Sequence, residues 1–248
     1  MDGVGRDSAP KATKKKGTPG LKPGRAALMN GILIINKPKG ITSHDVVDCV
    51  RKNLKTKRVG HAGTLDPLAT GVLIVLVGDA TRSFNKFSGL DKEYIATVTL
   101  GKITTTGDSQ GAVLGEQKFS HITEDMARGV LSHFLGEQEQ VPPMFSAIKY
   151  QGKKLYQLAR KGIEVVRSPR KIWIKDLKML GFQLPDIEIY LRCSKGTYVR
   201  KLAEDIGKKL GCGGCVSRIE RIGVGEFSIK DAINIDQINA NHIKSWKN

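Results

Sequence analysis

The sequence predicts an α+β fold in which helices and loops flank a mixed, mostly antiparallel central sheet. Short strand patterns and amphipathic helix patterns follow one another irregularly, without the βαβ repeat that is typical of a parallel sheet. Residues 187–193 alternate apolar and polar side chains, as a strand with one buried face does. With 248 residues, of which 40% are hydrophobic, the chain can bury one substantial core, which two lobes of a single domain could share.

The first half of the chain predicts strands at 32–35, 72–77 and 94–100, a helix after Thr42 or Ser43, and a short helix at 80–87. A hydroxyl at Thr42 or Ser43 can cap that first helix by accepting from its free N–H groups. The apolar residues expected on its buried side are Val46, Val47, Val50 and Leu54. Residues 101–111 are interpreted as a polar loop that needs no chemistry of its own.

The second half predicts helices at 123–135, 153–161 and 198–210, and strands at 144–150, 172–184, 187–193 and 218–224. Gly136 and Gly162 are expected to end the first two of these helices, and Thr197 to cap the third. Gln151 and Gly152 are interpreted as a turn. We detect no internal repeat.

The chain is strongly basic, with a formal net charge of +17. Residues 1–28 hold seven Lys or Arg residues and two Asp residues, so this tail carries +5 and the remainder keeps +12. A basic body favours a polyanionic partner, because each neutralised phosphate releases counterions. Charge alone leaves RNA, DNA and an anionic membrane open.

The sequence predicts neither a membrane span nor a signal peptide. No apolar run approaches the roughly 20 residues of a membrane span, and the N-terminus has no continuous apolar signal core, so we predict a cytoplasmic protein. The tail 1–28 is rich in Gly, Pro, Lys and Ala and is predicted to be a disordered basic tail. The CxxC spacing of Cys212 and Cys215 has no second pair or histidine cluster beside it, so no metal site is expected.

The segment 60–71, Gly-His-Ala-Gly-Thr-Leu-Asp-Pro-Leu-Ala-Thr-Gly, isolates one carboxylate in a glycine-rich bend before an apolar strand. Pro67 keeps Asp66 out of a regular helix, because proline restricts the residue before it to extended or turn conformations. A loop carboxylate displayed by a buried strand suits catalysis. A structural Asp-Pro turn is the alternative, and for an arbitrary Asp-Pro it is the commoner one.

Several motifs together carry a resemblance that favours catalysis. Beside the Asp66 segment they are Lys-Pro-Lys-Gly-Ile-Thr-Ser at 37–43, Lys-Glu-Tyr at 92–94, Pro-Pro-Met-Phe-Ser-Ala-Ile-Lys at 142–149, Gly-Lys-Lys-Leu-Tyr at 152–156, and Cys-Ser-Lys-Gly-Thr-Tyr-Val-Arg at 193–200. In this order they resemble the TruB family of tRNA pseudouridine synthases, from about Gly31 to Phe227. The chain departs from the family at Glu220 and Ile222, where Arg and Thr are usual, and retains Arg221.

The resemblance implies isomerisation of uridine 55 in the T loop of tRNA, a reaction that needs neither redox cofactor nor nucleotide, so we predict no cofactor. It assigns the nucleophile to Asp66, whose attack on the ribose or on the pyrimidine ring the sequence leaves open. Arg200 is its cationic partner, which a nucleophilic carboxylate in a dry pocket requires. Tyr94 is the tyrosine that stacks on the flipped base, and Tyr198 a second one that contacts the base or assists proton removal from C5.

The resemblance and the charge pattern also suggest residues that bind RNA. His61 matches a residue that fills the space left in the RNA loop by the flipped base, and Lys37 is carried over as a structural or phosphate-side residue. Around Tyr156, a basic strip is expected to bind RNA or, on charge pattern alone, to be a solvated face. The full predicted set is His61, Lys37, Lys149, Lys153, Lys154, Arg160 and Arg221, with Lys161 beside the strip.

The domain boundaries expected are a tail at 1–28, a catalytic domain at 29–230 and a short extension at 231–248 without the PUA domain common in the family. The predicted partner is the T arm of tRNA, with no membrane and no obligatory protein partner. Two rival functions stay open. One is a guide-RNA-dependent synthase, which the short C-terminus argues against; the other is an RNA-binding or RNA-folding module without chemistry, which would tolerate Asp66→Asn.

Overall fold

A computed structural model describes Met1 and residues 29–247. The predicted tail at 1–28 therefore lies, apart from Met1, outside the described residues. The strands in the described part are β1 (Gly31–Lys37), β2 (Val59–Ala62), β3 (Thr70–Val77), β4 (Lys92–Leu100), β5 (Lys102–Thr104), β6 (Val113–Glu116), β7 (Gly136–Gln140), β8 (Lys149–Tyr150), β9 (Lys153–Lys154), β10 (Arg170–Gln183), β11 (Asp186–Cys193), β12 (Gly214–Val224) and β13 (Phe227–Ser228). The α-helices are α1 (Ser43–Asn53), α2 (Phe84–Ser88), α3 (Glu124–Ser132), α4 (Leu155–Ala159) and α5 (Val199–Lys209).

A central sheet runs in the order β1-β3-β12-β4-β11-β10-β7, with β2 paired to β3 and β13 paired to β12. Its pairings are antiparallel except between β12 and β3. The α+β class with a mixed, mostly antiparallel sheet is therefore confirmed. Short hairpins, β5 with β6 and β8 with β9, lie outside this sheet.

The continuous apolar runs of β1 and β3 reflect burial on both faces of the sheet. Leu33 and Ile35 of β1 point into the larger core cluster, whereas Ile32 and Ile34 point into a smaller one. The larger cluster also holds the buried faces of α1, α3 and α5. The smaller one packs against the C-terminal segment around Trp246. This double burial holds fixed the strand that follows Asp66.

The first predicted helix is confirmed in detail. Thr42 is its N-cap: the Thr42 hydroxyl accepts from the Asp45 N–H, and the Asp45 carboxylate accepts from the Thr42 N–H, forming a capping box. Val46, Val47 and Val50 are buried, as the spacing predicted.

Other predicted elements need correction. The strand at 144–150 is wrong except for β8, because residues 144–147 form bends. The basic helix at 153–161 is shortened to α4 after β9. Thr197 does not cap α5: Tyr198 is the N-cap, and the Thr197 hydroxyl donates to the Ser194 carbonyl oxygen at 3.0 Å. The loop at 101–111 begins with the strand β5.

Among the described residues, no helix is long and apolar enough to cross a membrane. The cysteines Cys49, Cys193, Cys212 and Cys215 are all free thiols, and the last three are buried.

Candidate active site

The loop between β2 and β3 presents Asp66 and is held from two sides. Ser43, which is buried at the start of α1, donates its hydroxyl to the Leu65 carbonyl oxygen at 3.0 Å and accepts from the Leu65 N–H at 2.8 Å. The Gly40 N–H donates to the Pro67 carbonyl oxygen at 2.8 Å. Both neighbours of Asp66 are thus fixed to the segment 37–43, so the carboxylate has a defined position.

Arg221, on β12, supports the same loop by donating to backbone carbonyls on both sides of Asp66. It is only 1% exposed, and its guanidinium donates to the Val72 carbonyl oxygen at 2.7 Å and to the Gly63 carbonyl oxygen at 3.0 Å. Next to it, Gly71 has a φ of +99°, and a Cβ there would lie 2.2 Å from the Arg221 carbonyl oxygen. A glycine is therefore required where β3 meets β12. The structure shows Arg221 as a buried support for the loop, and RNA binding by this residue stays a prediction.

Arg200 joins Asp66 to two other segments. Its Nε donates to Asp66 Oδ2 at 2.8 Å, one terminal nitrogen donates to the Thr106 carbonyl oxygen at 2.6 Å, and the other to the Phe145 carbonyl oxygen at 2.7 Å. The Arg200 side chain is 5% exposed and the Asp66 side chain 38% exposed. The predicted pair is therefore brought together, with a buried cation fixed on three sides and a carboxylate that stays open to a ligand.

Asp108 lies behind this pair as a second carboxylate. Its Oδ2 is 3.8 Å from Arg200 Nε, while its Oδ1 accepts from the Thr106 hydroxyl at 2.7 Å and from the Gln110 N–H at 3.1 Å. Residues 101–111, predicted to need no chemistry, thus supply both a carbonyl and a carboxylate to the site. The prediction was wrong because nothing in a polar loop's composition shows which buried cation it will contact.

Asp66 stands where an inner cavity meets an outer groove. The inner cavity has a volume of about 240 Å³ and the groove one of about 700 Å³. Asp66, Phe145 and Arg200 line both. A ligand bound along the groove can therefore place one small group beside the carboxylate.

The two predicted tyrosines line the inner cavity. Tyr94 on β4 is buried, and burial raises the pKa of the Tyr94 and Tyr198 phenols above their ordinary value, so both hold their protons at neutral pH. Gln140, at the end of β7, accepts from the Tyr198 N–H at 2.7 Å and donates to the Tyr198 carbonyl oxygen at 3.1 Å. This amide fixes the peptide that starts α5.

His61 and Lys37 occupy different environments. His61 lies on β2 and lines the groove, where burial lowers its pKa to about 4, so it is neutral at pH 7. Lys37 is fully buried and donates to the carbonyl oxygens of Pro38 and Ile41, each at 2.8 Å. Burial lowers the pKa of Lys37 to about 8. Of the two roles expected for Lys37, these contacts favour the structural one, because backbone carbonyls enclose the ammonium.

The predicted basic strip only partly faces the groove. Lys154, Tyr156 and Arg160 line it, with the Lys154 ammonium 5.6 Å and the Arg160 guanidinium 5.4 Å from the centre of the Tyr156 ring. Lys149 and Lys153 are exposed on the β8–β9 hairpin. The groove wall therefore combines an aromatic face with two cations, an arrangement suited to a nucleic acid strand.

Sequence reasoning missed several residues of this site. They are Ser43, Lys92, Thr106, Asp108 and Gln140. Lys92 and Ser43 stand within motifs that the resemblance uses, and this was the signal available for them. Lys92 is buried, lines the inner cavity and donates to the Ser88 and Leu90 carbonyl oxygens at 2.7 and 2.6 Å, and burial lowers its pKa to about 8.

Comparison with protein families covers most of the chain. Residues 51–199 match the model described as TruB family pseudouridylate synthase (N terminal domain), and residues 200–248 match that of the tRNA pseudouridylate synthase B C-terminal domain. The ion pair between Asp66 and Arg200 therefore joins the two matched segments.

Similar curated proteins include two named tRNA pseudouridine synthase B. The chain is 46% identical to tRNA pseudouridine synthase B of Opitutus terrae over 86% of this chain and 88% of that one. It is 47% identical to the protein of the same name from Clostridium tetani over 88% of this chain and 75% of the relative.

Similar solved structures include a Cbf5-Nop10-Gar1 complex, with a TM-score of 0.69 and 26% identity over 93% of this chain and 66% of that chain. Another is the archaeal box H/ACA sRNP Nop10-Cbf5 complex, with a TM-score of 0.63 and 25% identity over 87% of this chain and 55% of that chain. The chain thus spans between about half and two thirds of these two solved chains.

Proposed function

The chain belongs to the TruB family of pseudouridylate synthases, and on this premise we propose that it isomerises uridine 55 in the T loop of tRNA to pseudouridine. We further propose that Asp66 is the nucleophile. Curated relatives named tRNA pseudouridine synthase B, 46 to 47% identical over most of the chain, support the choice of tRNA.

One observation carries the proposal. The Asp66 carboxylate is paired with a buried arginine at the junction of an inner cavity of about 240 Å³ and an outer groove of about 700 Å³. A charge-assisted hydrogen bond through Oδ2 orients the carboxylate. A structural Asp-Pro turn needs no buried arginine aimed at its side chain, so this geometry favours catalysis over the structural alternative.

The arrangement of Asp66, Tyr94 and Tyr198 supports the proposed reaction. The target uridine leaves its stack at a cost of a few kcal/mol, and stacking on Tyr94 offsets about 1 to 3 kcal/mol of it. The bond between N1 and C1′ breaks, the base turns, and a bond between C5 and C1′ forms, while C5 loses a proton and N1 gains one. Asp66 divides this exchange into two easier steps through a covalent adduct with the ribose or the pyrimidine ring. Gln140 fixes the Tyr198 peptide, and the Tyr198 phenol, which is neutral at pH 7, contacts the base or assists removal of the C5 proton by relaying a proton that another base accepts.

The groove provides the RNA contacts in this proposal. Lys154 and Arg160 lie near phosphates, Tyr156 offers a stacking face, and neutral His61 fills the gap that the flipped base leaves. Lys149, Lys153 and Lys161 add positive charge beside the groove. Action on tRNA would place the protein in the cytoplasm, as the sequence predicts.

We propose that the chain selects its target without a guide RNA or a protein partner. Its identity to tRNA pseudouridine synthases, 46 to 47%, exceeds its 25 to 26% identity to the solved proteins of two H/ACA complexes, one of them bound to a substrate RNA. The purified chain alone should therefore modify an unmodified tRNA transcript. A requirement for added guide RNA would reverse this choice.

Tritium release from a tRNA transcript labelled at uridine C5 tests the central claim. We expect release with the wild-type chain, none above background with Asp66→Asn, and none from a transcript in which position 55 is cytidine. Asp125→Asn is the matched control, because Asp125 is exposed on α3, outside the residues that line the groove and the cavity.

Binding measurements distinguish the enzyme from an RNA-binding module without chemistry. Asp66→Asn should bind tRNA about as well as the wild type, since the substitution removes one charge at the end of the groove. If wild type and Asp66→Asn both bind tRNA and neither releases tritium, the chain is an RNA-binding module and the enzyme assignment fails.

A further inference from the structure

A second basic surface lies on the side of the groove formed by α1 and β2. Five of the eight residues from Arg51 to Arg58 are cations, and we call this segment the α1–β2 shelf: Arg51, Lys52, Lys55, Lys57 and Arg58. The motifs that carry the family resemblance do not include it. It spans the last turn of α1 and the turn that leads into β2.

The two arginines of the shelf are structural. Arg51 donates to Asp48 at 2.8 Å and to the Val59 carbonyl oxygen at 3.1 Å, which ties α1 to β2. Arg58 donates to Asp79 at 2.6 Å and to the Thr81 hydroxyl at 3.0 Å. These contacts fix the backbone from which the three lysines project.

The three lysines are free to bind a ligand. Lys52, Lys55 and Lys57 are exposed, and in the described part of the chain none has an ion pair or a side-chain hydrogen bond. Asp48, the acidic residue beside them, is already paired with Arg51 at 2.8 Å. Three uncompensated ammonium groups on a fixed turn form a compact positive surface.

This surface is continuous with the groove that contains Asp66. His44, His61 and Thr64 line the groove and also a neighbouring depression of about 500 Å³, which extends to Arg51. Arg51 also lines a further depression, whose wall includes Lys52, Lys55 and Lys57. Lys52 lies eight helical positions after His44, a distance of roughly 12 Å along α1.

We propose that the α1–β2 shelf binds backbone phosphates of the RNA stem that carries the target loop. The inference rests on the proposed function, which places the loop in the groove. Lysines act as flexible point charges and suit phosphates, which carry no sequence information. Because the shelf begins only about 12 Å from the groove wall, the phosphates it reaches belong to the stem next to the loop, and a short stem-loop RNA contains them.

The test compares two triple variants that each remove three positive charges. One is Lys52→Gln, Lys55→Gln, Lys57→Gln; the control is Lys118→Gln, Lys208→Gln, Lys209→Gln, whose lysines are equally exposed and line neither the groove nor the shelf. The Kd for a T stem-loop RNA is measured from 50 to 300 mM salt. For the shelf variant we expect at least roughly tenfold weaker binding at low salt and a salt slope smaller by about 2, since each lost phosphate contact removes about 0.7 to 0.9. The control should change the Kd less than about twofold.

Turnover gives an independent readout. The shelf variant should show a raised KM and an unchanged kcat at saturating RNA, because no residue that contacts Asp66 is altered. Equal weakening in both variants would mean a general charge effect and would overturn the proposal. A defect seen only with full-length tRNA would overturn the assignment to the stem beside the loop.

The two proposals fail in distinguishable ways. A wild-type chain that binds the stem-loop without forming product would refute the proposed reaction, while the Kd values would still decide the role of the shelf. A wild-type chain that forms product, together with a shelf variant that binds like the control, would refute the shelf alone.

Discussion

The Asp66 loop and the segment 141–163 both line the groove, but they are built differently. The loop is held by Ser43, by the Arg221 guanidinium and by strands on both sides. The segment 141–163 contains only two-residue strands and a five-residue helix, and most of its side chains are at least partly exposed. The group that needs a fixed geometry for chemistry lies on buried contacts, whereas the groups that meet a long ligand lie on short elements of low local burial.

Arg200 links these two regions through two hydrogen bonds, and their loss should have the largest effect. In Arg200→Lys the charge remains, but one ammonium cannot reach Asp66, the Thr106 carbonyl and the Phe145 carbonyl together. We expect a loss of about 2 to 4 kcal/mol in the free energy of unfolding and at least roughly a 100-fold lower kcat. Urea unfolding and single-turnover tritium release measure these quantities.

Arg192→Lys is the matched control for Arg200→Lys. Arg192 is half-exposed on β11, and its nearest carboxylate, on Glu93, is 3.8 Å away. Both the stability and the kcat of this control should stay close to those of the wild type. An active and stable Arg200→Lys protein would show that the planar guanidinium is not what joins the two regions.

Ser43→Ala tests the rigidity of the loop itself. The substitution leaves the N–H and the carbonyl of Leu65, beside Asp66, without their partner. The expected cost is about 1 to 3 kcal/mol of stability, with a lower kcat and an unchanged Kd for tRNA. Ser43→Thr keeps the hydroxyl and should recover part of the kcat. An equal loss of kcat and RNA affinity would instead mean that the loop binds RNA directly.

His61, on the groove wall beside the loop, should make the stability of the protein depend on pH. Its pKa is lowered by burial to about 4, while the unfolded chain takes up a proton near the ordinary value of 6.5. Stability from this residue is therefore fully present above pH 6.5 and is lost as the pH falls towards 4. Between pH 7 and pH 5, the free energy of unfolding of His61→Gln should fall by about 2 kcal/mol less than that of the wild type.

Guanidinium unfolding at the two pH values measures that difference. His121→Gln, at an exposed position, is the control and should follow the wild-type pH dependence. Identical pH dependence in His61→Gln and the wild type would mean that His61 is open to water in the free protein.

Periodicity and motifs predicted different parts of this molecule. The spacing of apolar residues was enough for α1, β3 and β11, because each buries a regular face in one core. The failures lie where tertiary contacts determine the backbone. Residues 144–147 look like a strand by composition, but their backbone bends, and the carbonyl of Phe145 is an acceptor for Arg200.

The site was predictable only where a side chain belongs to a motif. Asp66 and Arg200 came from the family resemblance, and the structure brings them together at 2.8 Å. Asp108 and Gln140 had no such signal, since their roles depend on which elements pack side by side. Lys37 and Arg221 show the limit of the resemblance. It marked both residues as part of the site, but it did not show that both would be buried and would donate to backbone carbonyls.

The smallest expected effect separates two neighbouring lysines of the predicted strip. Lys154 lines the groove 5.6 Å from the centre of the Tyr156 ring, whereas Lys153 is exposed on the hairpin and does not line it. Lys154→Gln should weaken tRNA binding about threefold and reduce the salt slope by about 0.7 to 0.9, the value of one phosphate contact. Lys153→Gln should change both by less, and kcat should stay constant in both because neither residue contacts the Asp66 loop. Equal effects of the two substitutions would mean that the RNA senses the summed charge of the segment 141–163, and that the groove wall holds no defined phosphate position.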